Sequence, residues 1–549
     1  MEIRLILMDN HIVDLSQKEH QVIIPSEMSS GQAVIAPTPF SRMWVSAVKV
    51  RPVIQALVLF LLFAGLLAVV QYGTDALVGT DGYYHARMGL LIRQAGLRPD
   101  FKWLPLTILN ADAFYNHHLL YHVYLALFAG TDPLVDGGQS LTQSIKLASI
   151  VMPALAFLAI WWLLREQQVK WASLWALGLF AVSEAFLYRM SMPRAQSASL
   201  LVLVLGLHWL LSGRFRPLIP LGFIYVWLYD GFLLLPIIGS FYLVASLITE
   251  RKIVWQALAF PVAGIALGLL VNPYFPENIH FTLNHLIPKI SFAETPVGNE
   301  WYPYDTWTLV ENTGFALGAF VLAVLGLGWQ KERINLSTLT VLLLTVFFGL
   351  LLFKSRRFVE YFPAFTLIFA ALSISPLLRD WPATHTRRHG VAGALILTAV
   401  LAVPLATTVY LARDSVAGSK AADWYADAAG WLAVNGPGDS FVFQTDWDDF
   451  PRLFFYNPEM IYTVGLDPTY MELHNSGLYH DWVDLTQGKV DKPGEVIGDQ
   501  FGAQYVFSDL GHEAFLRRAA DDPLLREIYR DDQAVIFAVE AGEAAGSEG

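Results

Sequence analysis

The stretch VIQALVLFLLFAGLLAVVQYGTDALVGTDGYYHAR, residues 53–87, decides how the rest of the chain is read. Residues 53–71 carry no charge and are long enough to cross a hydrocarbon core as a helix. The next residues turn polar and end in Gly79-Thr80-Asp81-Gly82-Tyr83-Tyr84-His85-Ala86-Arg87. A membrane span thus hands directly to a cluster of ionisable groups.

Ten more apolar runs lie outward from it: 144–164, 171–187, 197–212, 217–229, 231–249, 253–272, 314–329, 336–353, 359–378 and 390–411. The composition agrees. Of 549 residues 55% are hydrophobic and only 15% charged, against about 25% charged in an ordinary soluble protein. The 17 Trp, 22 Tyr and 35 Phe suffice for interfacial belts as well as core. Cysteine is absent, which removes disulfides, thiolate metal sites and cysteine nucleophiles together. The net charge of −12 argues against nucleic acid, and its distribution divides the chain. Residues 412–549 hold 25 acids against 9 Lys and Arg, whereas the first 411 hold 23 against 27.

Loop charges orient the spans. Arg165 and Lys170, Arg214 and Arg216, Arg251 and Lys252, Lys331 and Arg333, and Arg387 and Arg388 all fall on one side, which the positive-inside rule makes cytoplasmic. The expected protein is therefore a polytopic helical membrane protein of about eleven spans, in a cell inner or plasma membrane. Residues 1–50 form a cytoplasmic leader, 51–411 the membrane domain with outer loops 72–143 and 273–313, and 412–549 an extracytoplasmic α/β domain. Tyr115–Ala129 contains three histidines and reads as an amphipathic or re-entrant outer helix rather than a twelfth span. In the tail, strands are expected at Ser440–Thr445, Met460–Gly465, Gln504–Ser508 and Ala534–Val539, with helices at Ser419–Val434 and from about Gly511. The last ten residues are expected to fray.

A transporter places polar groups near the bilayer midplane on broken helices. Here most ionisable residues gather at outer span ends and in outer loops, which suits an enzyme working on a substrate partly held in lipid. Asp81 and His85 share a face if their segment is helical, and can coordinate a divalent cation or a phosphate held through it. The competing structural use is a capped amphipathic helix with Asp81 as cap. Asp230 at another outer turn is a further candidate ligand. Gln444-Thr445-Asp446-Trp447-Asp448-Asp449-Phe450-Pro451 follows directly on a strand, where α/β sheets place ligand sites, and the competing use is a surface turn. Gly465-Leu466-Asp467-Pro468 leaves the next strand at the same sheet end. Arg356 and Arg357, at a span end near the acids, can clamp a phosphate or carboxylate, and the competing use is snorkelling to lipid headgroups.

The motif Gly-x-Asp-x-Tyr-Tyr-His-x-Arg at 79–87 resembles that of the oligosaccharyltransferase catalytic-subunit family, membrane glycosyltransferases of the GT-C class. So do Trp161-Trp162-Leu163-Leu164-Arg165-Glu166, Leu187-Tyr188-Arg189-Met190-Ser191 and Lys354-Ser355-Arg356-Arg357-Phe358-Val359-Glu360-Tyr361. The likeness covers most of residues 50–470 in order and topology. It implies transfer of a glycan from a polyprenyl-phosphate or -diphosphate carrier to an acceptor outside the cell. It assigns Asp81 the place beside metal and acceptor, and Glu300, in Val297-Gly298-Asn299-Glu300, an assisting role; these are the expected catalytic residues. His85, Arg194, Arg356, Arg357, Trp447, Asp448 and Asp449 are the expected substrate-binding residues, and Asp81, His85 and Asp230 the expected ligands of a divalent cation, Mg or Mn.

Two departures stand against the family pattern. Where the family carries a second acidic pair, this chain has Ser191-Met192-Pro193-Arg194-Ala195-Gln196-Ser197, an arginine in place of a carboxylate. Arg194 can neutralise a phosphate directly. The family's Trp-Trp-Asp-Tyr-Gly is matched only at Trp447 and Asp448, and Asp449 and Phe450 replace its last two residues, which points away from a Ser/Thr hydroxyl as the feature read in the acceptor. Two rivals stay open: a monosaccharide transferase acting on lipid, glycan or protein O-acceptors, and a non-catalytic scaffold or lipid transporter that keeps the fold.

Overall fold

The computed structural model describes residues 39–286, 298–330, 333–378 and 387–540. By compactness the chain divides after residue 55: residues 1–55 form one unit, whose described part is helical, and residues 56–549 form the other. Most of the expected leader and residues 541–549 lie outside the described residues.

Among the described residues five helices are long and apolar enough to cross a membrane: Pro52–Gln71, Gln139–Glu166, Asp230–Glu250, Thr306–Trp329 and Leu336–Lys354. Three shorter apolar helices, Leu218–Leu228, Gln256–Leu270 and Phe362–Leu378, match expected spans in position. The run 390–411 lies within the helix Arg387–Ala417. The run 171–187 is corrected. It is no single span but breaks into Ala172–Leu177, a 3-10 turn Gly178–Phe180 and the start of a new helix, Glu184–Ser191. Ser183 starts that helix by accepting the Phe186 N–H at 3.1 Å, so a polar cap interrupts what reads as continuous apolar sequence. Glu184–Ser191 and Gln196–Leu211 together pass as one span bent by 108°. Pro193 sits in the link, where its missing N–H and its ring forbid a continuous helix. Tyr115–Ala129 yields only the eight-residue helix Leu119–Ala126, too short to span, as its histidines required.

Leu57, Leu61, Val321, Leu322, Leu350 and Phe353 stay exposed on their helices, the surface that a bilayer covers. Between helices, small residues permit close approach. A Cβ on Gly264 would stand 2.1 Å from the Ile219 carbonyl oxygen, and one on Gly222 2.6 Å from that of Pro261, so Leu218–Leu228 and Gln256–Leu270 pack backbone to backbone.

The tail folds around a five-stranded sheet: β1 (Phe441–Gln444), β2 (Ile461–Tyr462), β3 (Tyr505–Asp509), β4 (Leu525–Arg530) and β5 (Ala534–Val539), in the order β2-β1-β3-β5-β4. β1 runs parallel to β2 and β3, with Val442 opposite Tyr462 and Phe443 opposite Val506. β5 is antiparallel to both β3 and β4. The four expected strands are present, and β4, which is half exposed and carries Arg526, Glu527 and Arg530, is the one that sequence reading misses. The segments after β1 and β2 leave from the same sheet edge because the two strands are parallel.

That edge is held against the first loop. Helix Asp81–Ala95 packs on helix Phe450–Tyr456, with Tyr84 ringed by Phe450 and Phe454 and the Arg452 guanidinium 4.1 Å over the Tyr83 ring. Arg87, 1% exposed, pairs with Asp132 at 2.9 Å. Removing only the partner's charge leaves a buried guanidinium uncompensated. Asp132→Asn keeps the helix cap that Asp132 gives the Leu134 N–H. It is nonetheless expected to lower stability by about 3 kcal/mol, the lower end for a broken buried pair because Asp132 is partly exposed. Thermal unfolding in detergent checks it; an unchanged midpoint would mean that the Phe454 carbonyl, 3.4 Å from Arg87 Nε, satisfies the arginine alone.

Candidate active site

Asp81 opens its helix because the loop before it is fixed at several points. Buried Lys146 donates to the Thr74 and Ala76 carbonyls, the latter at 3.1 Å, and the Leu77 N–H donates to the Tyr83 hydroxyl at 3.3 Å. Two glycines flank Asp81 and let the bend 192–195 sit directly on it. Gly79 has φ +78°, which only glycine adopts without strain, and a Cβ there would meet Met192 at 3.1 Å. A Cβ on Gly82 would stand 2.4 Å from Pro193. Two segments more than a hundred residues apart are thereby brought into register, and Arg194 reaches Asp81.

Arg194 Nη2 lies 3.0 Å from Asp81 Oδ2, while Nη1 and Nη2 donate to the two Glu300 oxygens at 3.0 and 3.3 Å. Glu300 also takes Arg189 at 2.8 Å and Arg357 at 3.2 Å. Arg189 extends the set to the fully buried Glu360, with Nε 2.7 Å from Oε1. Arg357 donates to the Tyr229 hydroxyl at 2.7 Å. Asp81, Glu300 and Glu360 thus face Arg189, Arg194 and Arg357 in a closed network of balanced charge. Glu300 is fixed from its backbone too, since its carbonyl accepts from the Ser355 hydroxyl at 2.8 Å.

The two acids differ. Burial raises the Asp81 carboxyl above its ordinary range, with Arg194 pulling the other way and Glu300 adding to the rise. Burial works to raise Glu300 as well, but Arg194, Arg189 and Arg357 together outweigh it and hold that carboxyl well below its ordinary range. One acid is built to accept a proton and the other to stay charged.

Two cavities meet at this network. One, of about 480 Å³, is lined by Asp81, His85, Arg194, Asp230, Trp301 and, from the sheet edge, Asp446, Trp447, Asp448 and Asp467. The other, of about 490 Å³, is lined by Glu184, Tyr188, Tyr304, Asn312 and Arg356. Arg189, Glu300 and Arg357 line both. Arg356 is half-buried and donates to the Pro303 carbonyl at 3.1 Å, tying its corner to the loop after Glu300.

The sequence-derived residues are sorted by this geometry. Asp81, His85, Arg194, Asp230, Glu300, Arg357, Trp447 and Asp448 share one cavity and Arg356 lines the other. Asp449 does not face either. It is 4% exposed, and Phe450 beside it is wholly buried against Tyr84, Phe454 and Tyr462, so the expectation that this pair meets the acceptor is corrected. Burial, with Asp446 and Asp509 adding to it, pushes the Asp449 carboxyl well above its ordinary range. The expected metal ligands Asp81, His85 and Asp230 line the same cavity. Among the described residues no three His, Asp or Glu side chains form a group able to hold a metal ion. His85 turns to its neighbours: its Nδ1 lies 2.7 Å from His122 Nε2, whose own Nδ1 lies 2.8 Å from Asn116 Oδ1. Burial, reinforced by His122, lowers the His85 pKa far enough to keep the ring neutral. Arg189 and Glu360 belong to the site although sequence reading gave them no role; charged residues flanked by apolar spans were the available signal.

Asp448 accepts from the Thr80 hydroxyl at 3.2 Å. Burial pushes its carboxyl up to about 7, and Asp81 and Asp446 push the same way. A group raised from 3.8 contributes stability that is full below its unfolded value and lost as pH rises through about 7. Asp448→Asn cannot ionise. Its thermal midpoint is expected to rise relative to the parent from about pH 4 to about pH 7, the interval between the unfolded and folded values. Parallel midpoints across that window would show that Asp448 ionises in the folded protein without cost.

No family model matches the chain, and no curated protein matches it. Solved structures do. The oligosaccharyltransferase of Archaeoglobus fulgidus in the apo form aligns with TM-score 0.61 at 14% identity, over 89% of this chain and 75% of that one. ArnT from Cupriavidus metallidurans, bound to undecaprenyl phosphate, aligns with TM-score 0.53 at 17% identity, over 90% of this chain and 99% of that one. The mycobacterial arabinofuranosyltransferase AftD aligns with TM-score 0.55 at 14% identity, over 90% of this chain and 40% of that one. The chain shares its fold with these structures, as the resemblance carried by its motifs led one to expect.

Proposed function

We propose that the protein is a membrane glycosyltransferase that moves a glycan from a polyprenyl-phosphate or -diphosphate carrier to an acceptor at the face bearing the C-terminal domain. The loop charges put that face outside the cytoplasm. The observation that carries this reading is the meeting of two unlike cavities at one ion network. The first, walled by helix Glu184–Ser191, Asn312 and three arginines, suits a lipid-borne phosphate. The second, walled by Asp81 and the sheet-edge acids, suits a neutral or cationic acceptor. The fold supports it as well, since the ArnT structure holds undecaprenyl phosphate and another Archaeoglobus fulgidus oligosaccharyltransferase structure holds an inhibitory peptide and a dolichol-phosphate.

In this reading an O–H or N–H group of the acceptor attacks the sugar carbon joined to the carrier. The carbon–oxygen bond to phosphate breaks, its electron pair leaves on the phosphate, and the acceptor proton passes to Asp81. Glu300 stays ionised and keeps Arg189, Arg194 and Arg357 in place. Arg189, Arg356 and Arg357 face the charge that grows on the phosphate, the main electrostatic demand of the displacement.

One observation favours monosaccharide transfer to a lipid, glycan or protein hydroxyl as a second reading. Beside Trp447 the acceptor wall carries Asp446, Asp448 and Asp467, acceptors and a stacking ring that suit a polyol. Incubating the full chain in lipid extract with a radiolabelled polyprenyl-linked donor tests both. Label on protein at Asn supports the oligosaccharyltransferase-like reading, and label on lipid, glycan or Ser/Thr supports the second. Carrier binding without transfer overturns both in favour of a non-catalytic role.

A further inference from the structure

The pair Asp81 and Glu300 has the makings of a cation site, two carboxylates on one cavity wall, yet both already share a cation. Arg194 lies within 3.0 Å of an oxygen of each, and it grips Glu300 with both terminal nitrogens. Its position is imposed by the backbone. Met192 and Pro193, which precede it, are seated on Gly79 and Gly82, so the backbone that bears Arg194 is held beside Asp81. Arg194 is also backed by its own turn, where its N–H donates to the Met192 carbonyl at 2.8 Å. A hard divalent cation asks for six or more oxygen ligands. Among the described residues no three His, Asp or Glu side chains gather to hold one, so an ion here would have Asp81 and Glu300 as its protein ligands and water for the rest.

We infer that Arg194 is the resident cation of this site: a guanidinium fixed between Asp81 and Glu300 holds the two acids together and balances them, in the place a divalent metal would otherwise take. A planar guanidinium suits this because its fork bridges two carboxylates at fixed spacing, which a lysine ammonium does not do. The consequence concerns the site's selectivity for its own cation. The parent should have no affinity for a divalent ion there, and vacating the arginine should create one. The transfer arm of the test rests on the function proposed above, whereas the binding arm does not.

The probe is Mn²⁺ alone, followed by electron paramagnetic resonance on the full chain in detergent. The parent is expected to leave millimolar Mn²⁺ free, while Arg194→Ala is expected to take up about one Mn²⁺ per chain, and Asp81→Asn/Arg194→Ala to lose it again. In the transfer arm, chelation with EDTA is expected to leave the parent rate unchanged, and added guanidinium to restore part of the rate of Arg194→Ala. Mn²⁺ bound by the parent and lost in Asp81→Asn would overturn the inference, as would a parent rate that collapses on chelation. Failure of Arg194→Ala to bind Mn²⁺ while folded would overturn it too. Should Arg194→Ala not fold, Arg194→Lys is read instead: it keeps the charge and is expected to exclude Mn²⁺, and uptake by it would sink the idea. If no donor is ever transferred but the Mn²⁺ pattern holds, the functional reading fails and the resident arginine stands.

Discussion

Asp81→Asn is expected to fold as the parent does and to transfer about a hundredfold more slowly or worse, the usual loss when one interaction with developing charge is removed. Asparagine keeps the shape of the side chain, and its amide oxygen can still accept from Arg194 across the 3.0 Å contact. The variant loses the charge and the ability to take a proton. Because burial already raises the Asp81 carboxyl while three arginines hold Glu300 ionised, Asp81 is the acid of the pair suited to proton transfer. The loss should fall on kcat, with binding of the donor unchanged, since the donor cavity is lined by Arg189, Arg356 and Arg357 and not by Asp81. Single-turnover transfer and carrier binding, measured on the same preparation, check both halves. Full transfer by the variant would leave Asp81 as no more than the first residue of its helix.

How far this site was legible depends on the kind of signal each residue leaves. Asp81 and His85 lie in one short motif, and the apolar run before them announced the membrane. Asp446, Trp447 and Asp448 could be placed because a strand precedes them and the site of an α/β sheet lies beyond its strand ends. Asp449 and Phe450 were misplaced by the same local argument. The signal that corrects them was present in the next residues: Pro451 marks a helix start, and Phe450 with Phe454 form an i, i+4 pair that a buried helix face requires. Once that helix exists, Phe450 turns inward and takes Asp449 with it. The break of 171–187 was hidden for a different reason. Ser183 starts a new helix by accepting the Phe186 N–H, and hydropathy averages over such a contact. The ion network itself could not be read at all, since Arg189 and Glu360 are 171 residues apart and meet only because the bundle closes. Spacing rules reach one helix or one loop; charge balance across a fold belongs to tertiary packing.

Glu300→Gln is expected to have the largest effect on stability, because Glu300 is, among the described residues, the one side chain that three arginines share. Contacts at 2.8, 3.0 and 3.2 Å join it to Arg189, Arg194 and Arg357. An amide can accept on one atom only, so either Arg189 or Arg357 would lose its Glu300 contact, Arg194 would keep one of its two, and the network would carry one excess positive charge. Breaking a buried pair from one side typically costs about 3–5 kcal/mol, and that loss is expected here near neutral pH. The sign of its pH dependence is set by the depressed carboxyl. Its contribution is fully present above the ordinary glutamate range and fades only as pH falls through the much lower folded value. Parent and variant should therefore converge in strong acid and separate above about pH 5. The double variant Glu300→Gln/Arg194→Gln tests the cause, since removing one arginine together with the acid restores the balance of charge. If the network acts as a unit, the double variant unfolds at a higher temperature than the sum of the two single losses allows, by about 1 kcal/mol or more in a double-mutant cycle. Strict additivity would mean that each arginine is satisfied by other partners, and that Glu300 serves the site through its loop rather than through its charge.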